Sequence, residues 1–555
     1  MNAGAGEGHR HPGRILETVP ETTAPTPAPT STARRRLGVV VLSLGVSMII
    51  VDATIVGVLL PRLVSGLGLT TADAEWVNAV YSLVFAALLI PFGRVGDLVG
   101  RRRVFVLGVV VFVLASLGVA AARDGSSLIA ARAVQGVGAS MVLPAALSTL
   151  NAMFTGRDRA TAFGIWGALL SGMAALGPLL GGALGTADWR WAFLVNLPFG
   201  VALIAGAIAL LPETRRPRAG RLRQEIDWLG GVLSALGLGA LVCGLIEGPN
   251  HGWWTATRDF SVAGLSPVPV VLALGAVLLT ALVLVERVRA AAGRPVMLDL
   301  SLFRIANFRH GNLASALINV GELGLLFVLP LFLLGVHGTS PIQISLAILP
   351  LAVGSFLSGG YAGHLAKKRG AHRVVQIGMV LEVAAVLGLA VTLDAATTGL
   401  GLAPWMLVYG FGLGLTAAQL TNVSLADVPP AKSGQASGTQ STARQVGAAL
   451  GIAVIGTVFA TSLGAAMTDR VSDGERLAHE LRQSAGTYAR ELHADPARAA
   501  EARAADESLA VATRDGALVT AAILALGLLL SLRLRPSTRQ DREESESLSS
   551  LENKR

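Results

Sequence analysis

The recurrence of long apolar runs constrains this chain more than any other feature. Runs of about eighteen or more apolar residues, the length a spanning helix needs, lie near 37–60, 76–94, 104–122, 127–150, 160–185, 191–211, 228–247, 268–286, 309–334, 342–365, 373–393, 402–424, 438–462 and 513–532, fourteen in all. In a bilayer core a helix satisfies its own backbone polar groups, which nothing else there can do. Composition agrees: 52% of the residues are hydrophobic and only 15% charged. The expectation is an all-α polytopic membrane protein. A formal net charge of +9 does not point to nucleic acid, because the arginines fall in short clusters between apolar runs rather than on one face. The single cysteine, Cys243, lies inside an apolar run and excludes an intrachain disulfide or a cysteine metal cluster. No metal or other cofactor is expected.

The links between runs alternate in charge. Arg101 to Arg103, Arg157 with Arg159, Arg215 to Arg223, Arg287 to Arg309 and Lys367 to Arg373 occupy every second link, whereas those between carry little beyond Arg62, Arg123, Arg190 and Arg258. Lys and Arg mark cytoplasmic loops, so both termini are expected in the cytoplasm of a multi-pass plasma-membrane protein. Arg34 to Arg36 precede a first run too long for a cleavable leader and followed by no small-residue cleavage site, so it should stay as the first span. Residues 1–36 and 535–555 read as disordered tails. The segment 464–512, with interspersed Arg and Glu and helical Ala-rich spacing, falls outside. A weak repeat divides the chain: GHLAKKRG, Gly363 to Gly370, copies the spacing of GRVGDLVG, Gly93 to Gly100, with Lys367 in place of Asp97. Two six-helix units, 37–211 and 309–534, are expected, with two extra spans in a linker, 212–308.

Several motifs carry a resemblance. GRVGDLVGRRR, Gly93 to Arg103, resembles motif A of the major facilitator superfamily, with Gly93, Asp97, Gly100, Arg101 and Arg102 at the motif positions. Glycines at 93, 96 and 100 allow a tight turn and close helix approach, and Asp97 lies one helical turn from Arg101. LIAARAVQGVGAS, Leu128 to Ser140, resembles motif B through Arg132, Gln135, Gly136 and Gly138. The fifth run, with Gly164, Gly172, Gly177, Pro178, Gly181 and Gly182, is similar to motif C, a feature of drug:proton antiporters within that superfamily. VDATIVGVLLP, DWRWAFLVNLPFG and DWLGG resemble the fourteen-span drug:proton antiporters of EmrB and QacA type. The resemblance implies the major facilitator fold: two six-helix bundles plus two extra central helices.

Charged residues inside spans are the candidates for function. An arginine at mid-span costs about 2.5–3.5 kcal/mol on insertion scales, so Arg132 is either a buried cation that assists proton relay or a residue near a span end that snorkels. Asp52 lies mid-span, where desolvation favours the neutral carboxyl; it either carries the coupled proton or caps a helix break or pairs with Arg132. Glu322 is a second deep carboxylate, a candidate for a cationic substrate or a second proton; Glu382 is either similar or an acid that snorkels or pairs with a helix. Glu247 is placed at an outer end, and Arg444 on the cytoplasmic side in a structural role, with Gly447 and Gly451 spaced for packing.

Taken together these features predict a proton-driven exporter of small amphipathic or cationic organic compounds, antibiotics included, that confers resistance. One proton crossing about 100 mV supplies about 2.3 kcal/mol, so no nucleotide is needed, and the chain has no phosphate-binding GxxxxGK[ST] loop, HExxH or GxSxG motif. It is not expected to be an enzyme. Its partners are then the substrate, protons and the lipid bilayer, with the protein a monomer. A proton-coupled transporter of a specific metabolite or siderophore shares the expected fold. A receptor or scaffold without flux does not use the costly buried charges.

Overall fold

A computed structural model of the chain describes residues 32–69, 71–154, 156–185, 188–213, 227–254, 266–339, 341–484 and 488–536. Among these the secondary structure is helical throughout. The first set is α1 (Thr32–Leu67), α2 (Thr71–Val99), α3 (Arg101–Ala120), α4 (Gly125–Met153), α5 (Gly156–Gly185), a short α6 (Trp191–Leu194) and α7 (Asn196–Leu210). Next come α8 (Trp228–His251) and α9 (Val268–Ala291). The second set is α10 (Ala306–His337), α11 (Pro341–Arg369), α12 (Ala371–Thr392), α13 (Gly399–Ala426), α14 (Ser433–Thr468), α15 (Gly474–Gln483), α16 (Ala489–Ala494) and α17 (Ala499–Ser531). Thirteen described segments are long and apolar enough to cross a membrane. The expected fifth span coincides with α5, a helix of 30 residues outside those thirteen.

The helices start and stop where local chemistry directs. Asp124 caps α4, accepting from the Ser127 amide at 2.8 Å while the Ser127 hydroxyl lies 3.4 Å from the Asp124 amide, a reciprocal capping box. Asp227 caps α8 through the Gly230 amide at 2.8 Å. The basic segment between α2 and α3 is not a loop. Its helices are separated by Gly100 alone, which takes φ 121°, and Gly370 takes φ 84° at the equivalent point between α11 and α12. Both positions need the glycine freedom that the repeat supplies.

The two sets share one packing plan. α1 packs on α5 and α7, α4 on α2 and α3, and α3 on α7; in the same way α10 packs on α14 and α17, α13 on α11 and α12, and α12 on α17. The sets meet along two seams, α2 with α14 and α5 with α11. α8 lies against both α2 and α14, and α9 covers α8 from outside.

Several expectations change. The helix beginning at Thr32 enters the segment read as a disordered tail; residues 1–31 and 537–555 lie outside the described residues. The segment 464–512 is largely helical, as its Ala-rich spacing predicts, but Leu477, Leu481, Ala489 and Leu492 are buried in the core of the second set. The last helix therefore begins at Ala499 rather than near 513, because its alanines pack against that core even where charges interrupt the apolar run. Gly96, read as part of a tight turn, would place a methyl with no neighbouring atom within 4 Å and is not needed for close approach.

Gly138 is a different case. A side-chain carbon there lies 2.7 Å from the Phe112 amide nitrogen and 2.9 Å from the Gly108 carbonyl of α3. Gly138→Leu is expected to lower stability by about 1–3 kcal/mol or more, whereas Gly96→Ala is neutral or stabilising by up to about 1 kcal/mol. Thermal unfolding of the purified variants in detergent checks both.

Candidate functional site

Within the first set, Asp52 and Arg132 form a buried ion pair. Arg132 Nη1 donates to Asp52 Oδ2 at 2.5 Å, and the two residues are 1% and 0% exposed. Gln135 Nε2 and Asn196 Nδ2 donate to Asp52 Oδ1 at 3.1 and 3.2 Å, and both also donate to the Ser116 hydroxyl. Side chains of α4 and α7 thus converge on one α1 carboxylate, with Ser116 of α3 joining the two amides behind it. Arg132 further donates to the Val77 carbonyl at 3.2 Å and to Gln135 Oε1 at 2.8 Å. Of the readings open for Asp52, this conformation has the pairing with Arg132; the arginine is buried and does not snorkel. Gly136 lets α4 approach α2, since a methyl there would sit 2.8 Å from the Tyr81 carbonyl.

Tyr81 belongs to none of the sequence motifs. Its ring lies 4.2 Å from the Arg132 guanidinium and its hydroxyl donates to the Ile49 carbonyl at 3.4 Å. The same residue lines a cavity of about 560 Å³ between the two sets. One aromatic ring therefore touches both the ion pair and the cavity, a placement that no local motif announces.

The cavity is mainly apolar, with Glu247, Glu322 and Arg444 as its charged groups among the described residues. Glu322 is on the wall, beside Asn319. Arg444 lies deep in α14 rather than at its start: it faces the cavity within electrostatic range of Glu322, eleven residues after the start of α14 at Ser433. At 1.5 Å per residue that is about 16 Å along the helix. Glu247 also faces the cavity rather than the outer interface. Glu382 does not. It is fully buried between α12 and α13, with its Cγ 2.9 Å from a methyl built on Gly412, and it is absent from the cavity wall. That location removes the geometric basis for substrate contact in this conformation.

The motif A residues tie the two sets together at the end that carries the basic links. Asp97 is 1% exposed and accepts from Arg101 Nη2 at 2.9 Å and from the Gly434 and Gln435 amides of α14 at 2.9 and 3.1 Å. These are free first-turn donors of α14, at the positive end of its dipole. Arg101 also donates to the Pro430 carbonyl at 2.5 Å and the Ser148 carbonyl at 3.3 Å. Arg102 turns away and donates to the Leu211 carbonyl at 3.2 Å. Gly93 brings α2 onto α14, a methyl there lying 3.3 Å from Gly438 Cα. In the second copy Lys367 is exposed, so the buried charge has no counterpart. At the other seam, Arg159 Nη2 donates to the Asn422 carbonyl and Gln419 Nε2 to the Ala160 carbonyl, each at 3.1 Å.

Of the motif C positions, Gly164 meets α11, with Gly359 O and Gly363 N at 3.0 and 3.1 Å from a built methyl, and Gly177 meets α1 at Thr54 and Val51. Gly181 is buried in α5. The surroundings of Gly172, Pro178 and Gly182 lie outside the described residues.

Paired sets with equivalent packing, meeting around a cavity and locked at one end, define a membrane transporter. The chain belongs to the major facilitator superfamily, whose profile matches residues 42–452. It is 33% identical over 482 residues to the probable actinorhodin transporter of Streptomyces coelicolor, covering 84% of this chain and 79% of that one. It is 35% identical over 442 residues to the puromycin resistance protein pur8 of Streptomyces alboniger, covering 79% and 84%. Among solved structures, the human organic anion transporter MFSD10 shares the fold, with a TM-score of 0.60 at 15% identity over 90% of this chain and 100% of that one. The protein is a multi-pass protein of the plasma membrane.

Two measurements follow from this geometry. Removing one partner of a buried ion pair costs about 3–5 kcal/mol, so Arg132→Met is expected to lower the unfolding midpoint sharply and Asp52→Asn with Arg132→Met to recover much of the loss. At the locked end, Lys432 lies 2.5 Å from Asp299. Burial pushes the Asp299 carboxyl up, but Lys432 and the Ser301 donors outweigh it and hold the group below its ordinary 3.8. A depressed carboxylate contributes stability above its unfolded pKa and loses it as pH falls through the folded one. Lys432→Gln is therefore expected to lower the unfolding midpoint at pH 7, with the difference closing only below pH of about 4.

Proposed function

We propose that the protein exports small amphipathic or cationic organic compounds, antibiotics among them, in exchange for protons, and so confers resistance. The observation that carries this reading is the cavity between the two sets, apolar with two carboxylates and a guanidinium on its wall, touching the Asp52–Arg132 pair through Tyr81. The printed names of relatives from Streptomyces, a transporter of actinorhodin and a puromycin resistance protein, support an export role. Membership in the superfamily supports proton coupling.

The mechanism uses the chain's own groups. A proton added to Asp52 removes the negative charge that holds Arg132 Nη1, while Gln135 Oε1 and the Val77 carbonyl keep the guanidinium in place. Tyr81, stacked over that cation, passes the change to the cavity wall. Substrate sits near Glu322 and Arg444. Opening toward the other side breaks the Asp97 contacts to α14 and the Arg159 contacts to α13. With the basic links cytoplasmic, this conformation is closed to the cytoplasm. Residues 37–211 and 309–534 act as the two moving units of a fourteen-span antiporter of EmrB and QacA type, with 212–308 between them and both termini cytoplasmic. The protein works as a monomer and needs no cofactor.

Efflux of ethidium from cells, or its accumulation inside everted vesicles, tests this. Wild-type export is expected to collapse with a protonophore, and Asp52→Asn is expected to abolish it without a protonophore. Export that persists in Asp52→Asn transfers the carrier role to Glu322. Uptake of the dye into cells driven by the proton gradient overturns the direction.

A further inference from the structure

The segment that leaves α9, residues 292–305, reads in the sequence as one more basic link, yet it is fastened on two sides. Toward the added pair, Glu286 of α9 is 1% exposed and accepts from the Met297 and Leu298 amides at 2.9 and 3.1 Å. Arg289 Nε donates to the Pro295 carbonyl at 3.0 Å and lies equally close to Oδ2 of Asp227, the residue that caps α8. Toward the second set, Lys432 lies 2.5 Å from Asp299 and donates to the Ser301 hydroxyl at 3.3 Å, and Gln435 Nε2 donates to the Val296 carbonyl at 3.4 Å. Leu302 is buried in one apolar cluster with Phe308 of α10, Leu425 of α13 and Ala436 of α14. The segment is thus a strap that runs from the added pair into the second set.

The far end of α8 is tied to the same helix. Trp253 Nε1, just past the end of α8, donates to the Thr457 hydroxyl of α14 at 3.1 Å. Polar bonds therefore join the added pair to α14 at both ends, the cytoplasmic one through the strap. The packing on α2 is of another kind: Leu238 of α8 and Met297 of the strap share an apolar cluster with Ile90. A directional polar bond in a water-poor site is lost when its partners shift, and leaves buried groups unpaired. Apolar contact depends on area rather than direction and is remade after a slide. The bonds to α14 resist relative movement, and the contact with α2 permits it.

We propose that α8 and α9 travel with the second set as one body, with Glu286 as the positioning residue that fastens them, so that opening to the cytoplasm parts α2 from α8 as well as from α14. This rests on the export reading for the movement of the two sets. It concerns which set carries the added pair, and is read from distances rather than from flux.

The test measures distances between nitroxide labels by double electron-electron resonance, on the full-length protein in lipid nanodiscs. Cys243, the sole cysteine of the chain, is first changed by Cys243→Ala. Cysteines for labelling then replace, two at a time, the exposed residues Leu107 of α3, Val277 of α9 and Val380 of α12. Distances are compared between acid and alkaline buffer and with and without ethidium. The Leu107 to Val380 and Leu107 to Val277 distances are expected to change together by several ångströms, whereas Val277 to Val380 stays constant. Glu286→Ala is expected to broaden the Val277 to Val380 distribution, and Glu286→Gln, which keeps an acceptor for the two amides, to restore it. A Val277 to Val380 distance that shifts in the unmutated strap overturns the proposal, as does an unaltered distribution in Glu286→Ala. A constant Leu107 to Val380 distance removes the movement of the sets and overturns both readings. The expected distance changes without any ethidium efflux from cells overturn the export reading alone.

Discussion

The arrangement of the two sets depends on a carboxylate placed at the start of a helix from the opposite set. Asp97 receives two amide hydrogens of α14 and the guanidinium of Arg101, all in a site closed to water. Each partner satisfies a group that would otherwise be buried and unpaired. The contact is therefore strong when made and costly when half made, which suits an element that must be either shut or open. It also needs α2 and α14 to touch backbone to backbone, and Gly93 and Gly438 permit that.

The Asp52 site obeys the same logic inside one set. A carboxylate and a guanidinium removed from water are held by Gln135, Asn196 and the Val77 carbonyl, with the Ser116 hydroxyl behind the two amides. In such a network the charge of one group decides which donors have an acceptor. The Tyr81 ring lies against both the Arg132 guanidinium and the cavity wall.

Much of the fold is legible in the amino-acid order, because a bilayer imposes a length on every span and the basic links, with the repeat at Gly93 and Gly363, divide the chain in two. Arg132 is legible as a charge inside an apolar run, where such a residue has few reasons to be, and Asp97, Arg101 and Gln135 are legible through the motifs they resemble. The rest is hidden for a physical reason. α8 is apolar almost all round and the first half of α14 is polar on every side, so neither sequence carries an amphipathic stripe to mark which side turns toward the cavity. That is why Glu247 and Arg444 read as residues of span ends. Glu382 reads as a binding residue for the same reason, as depth in a span does not tell cavity from helix interface. The segment after α14 is legible as helical, but its packing into the core of the second set is not, because its buried leucines and alanines form no apolar run.

The contacts of α8 are unequal on its two sides. Against α9 it is pinned, for a methyl on Gly275 would lie 2.8 Å from the Leu241 amide nitrogen. Against α2 the contact is looser at Gly239, where a methyl would lie 3.8 Å from Ala87 Cβ, while Leu238 and Ile90 share a buried apolar cluster. α8 and α9 thus form a plate laid along one flank of the cavity. Val242 and Ile246 of α8 supply that flank of the wall, which neither of the two sets supplies by itself.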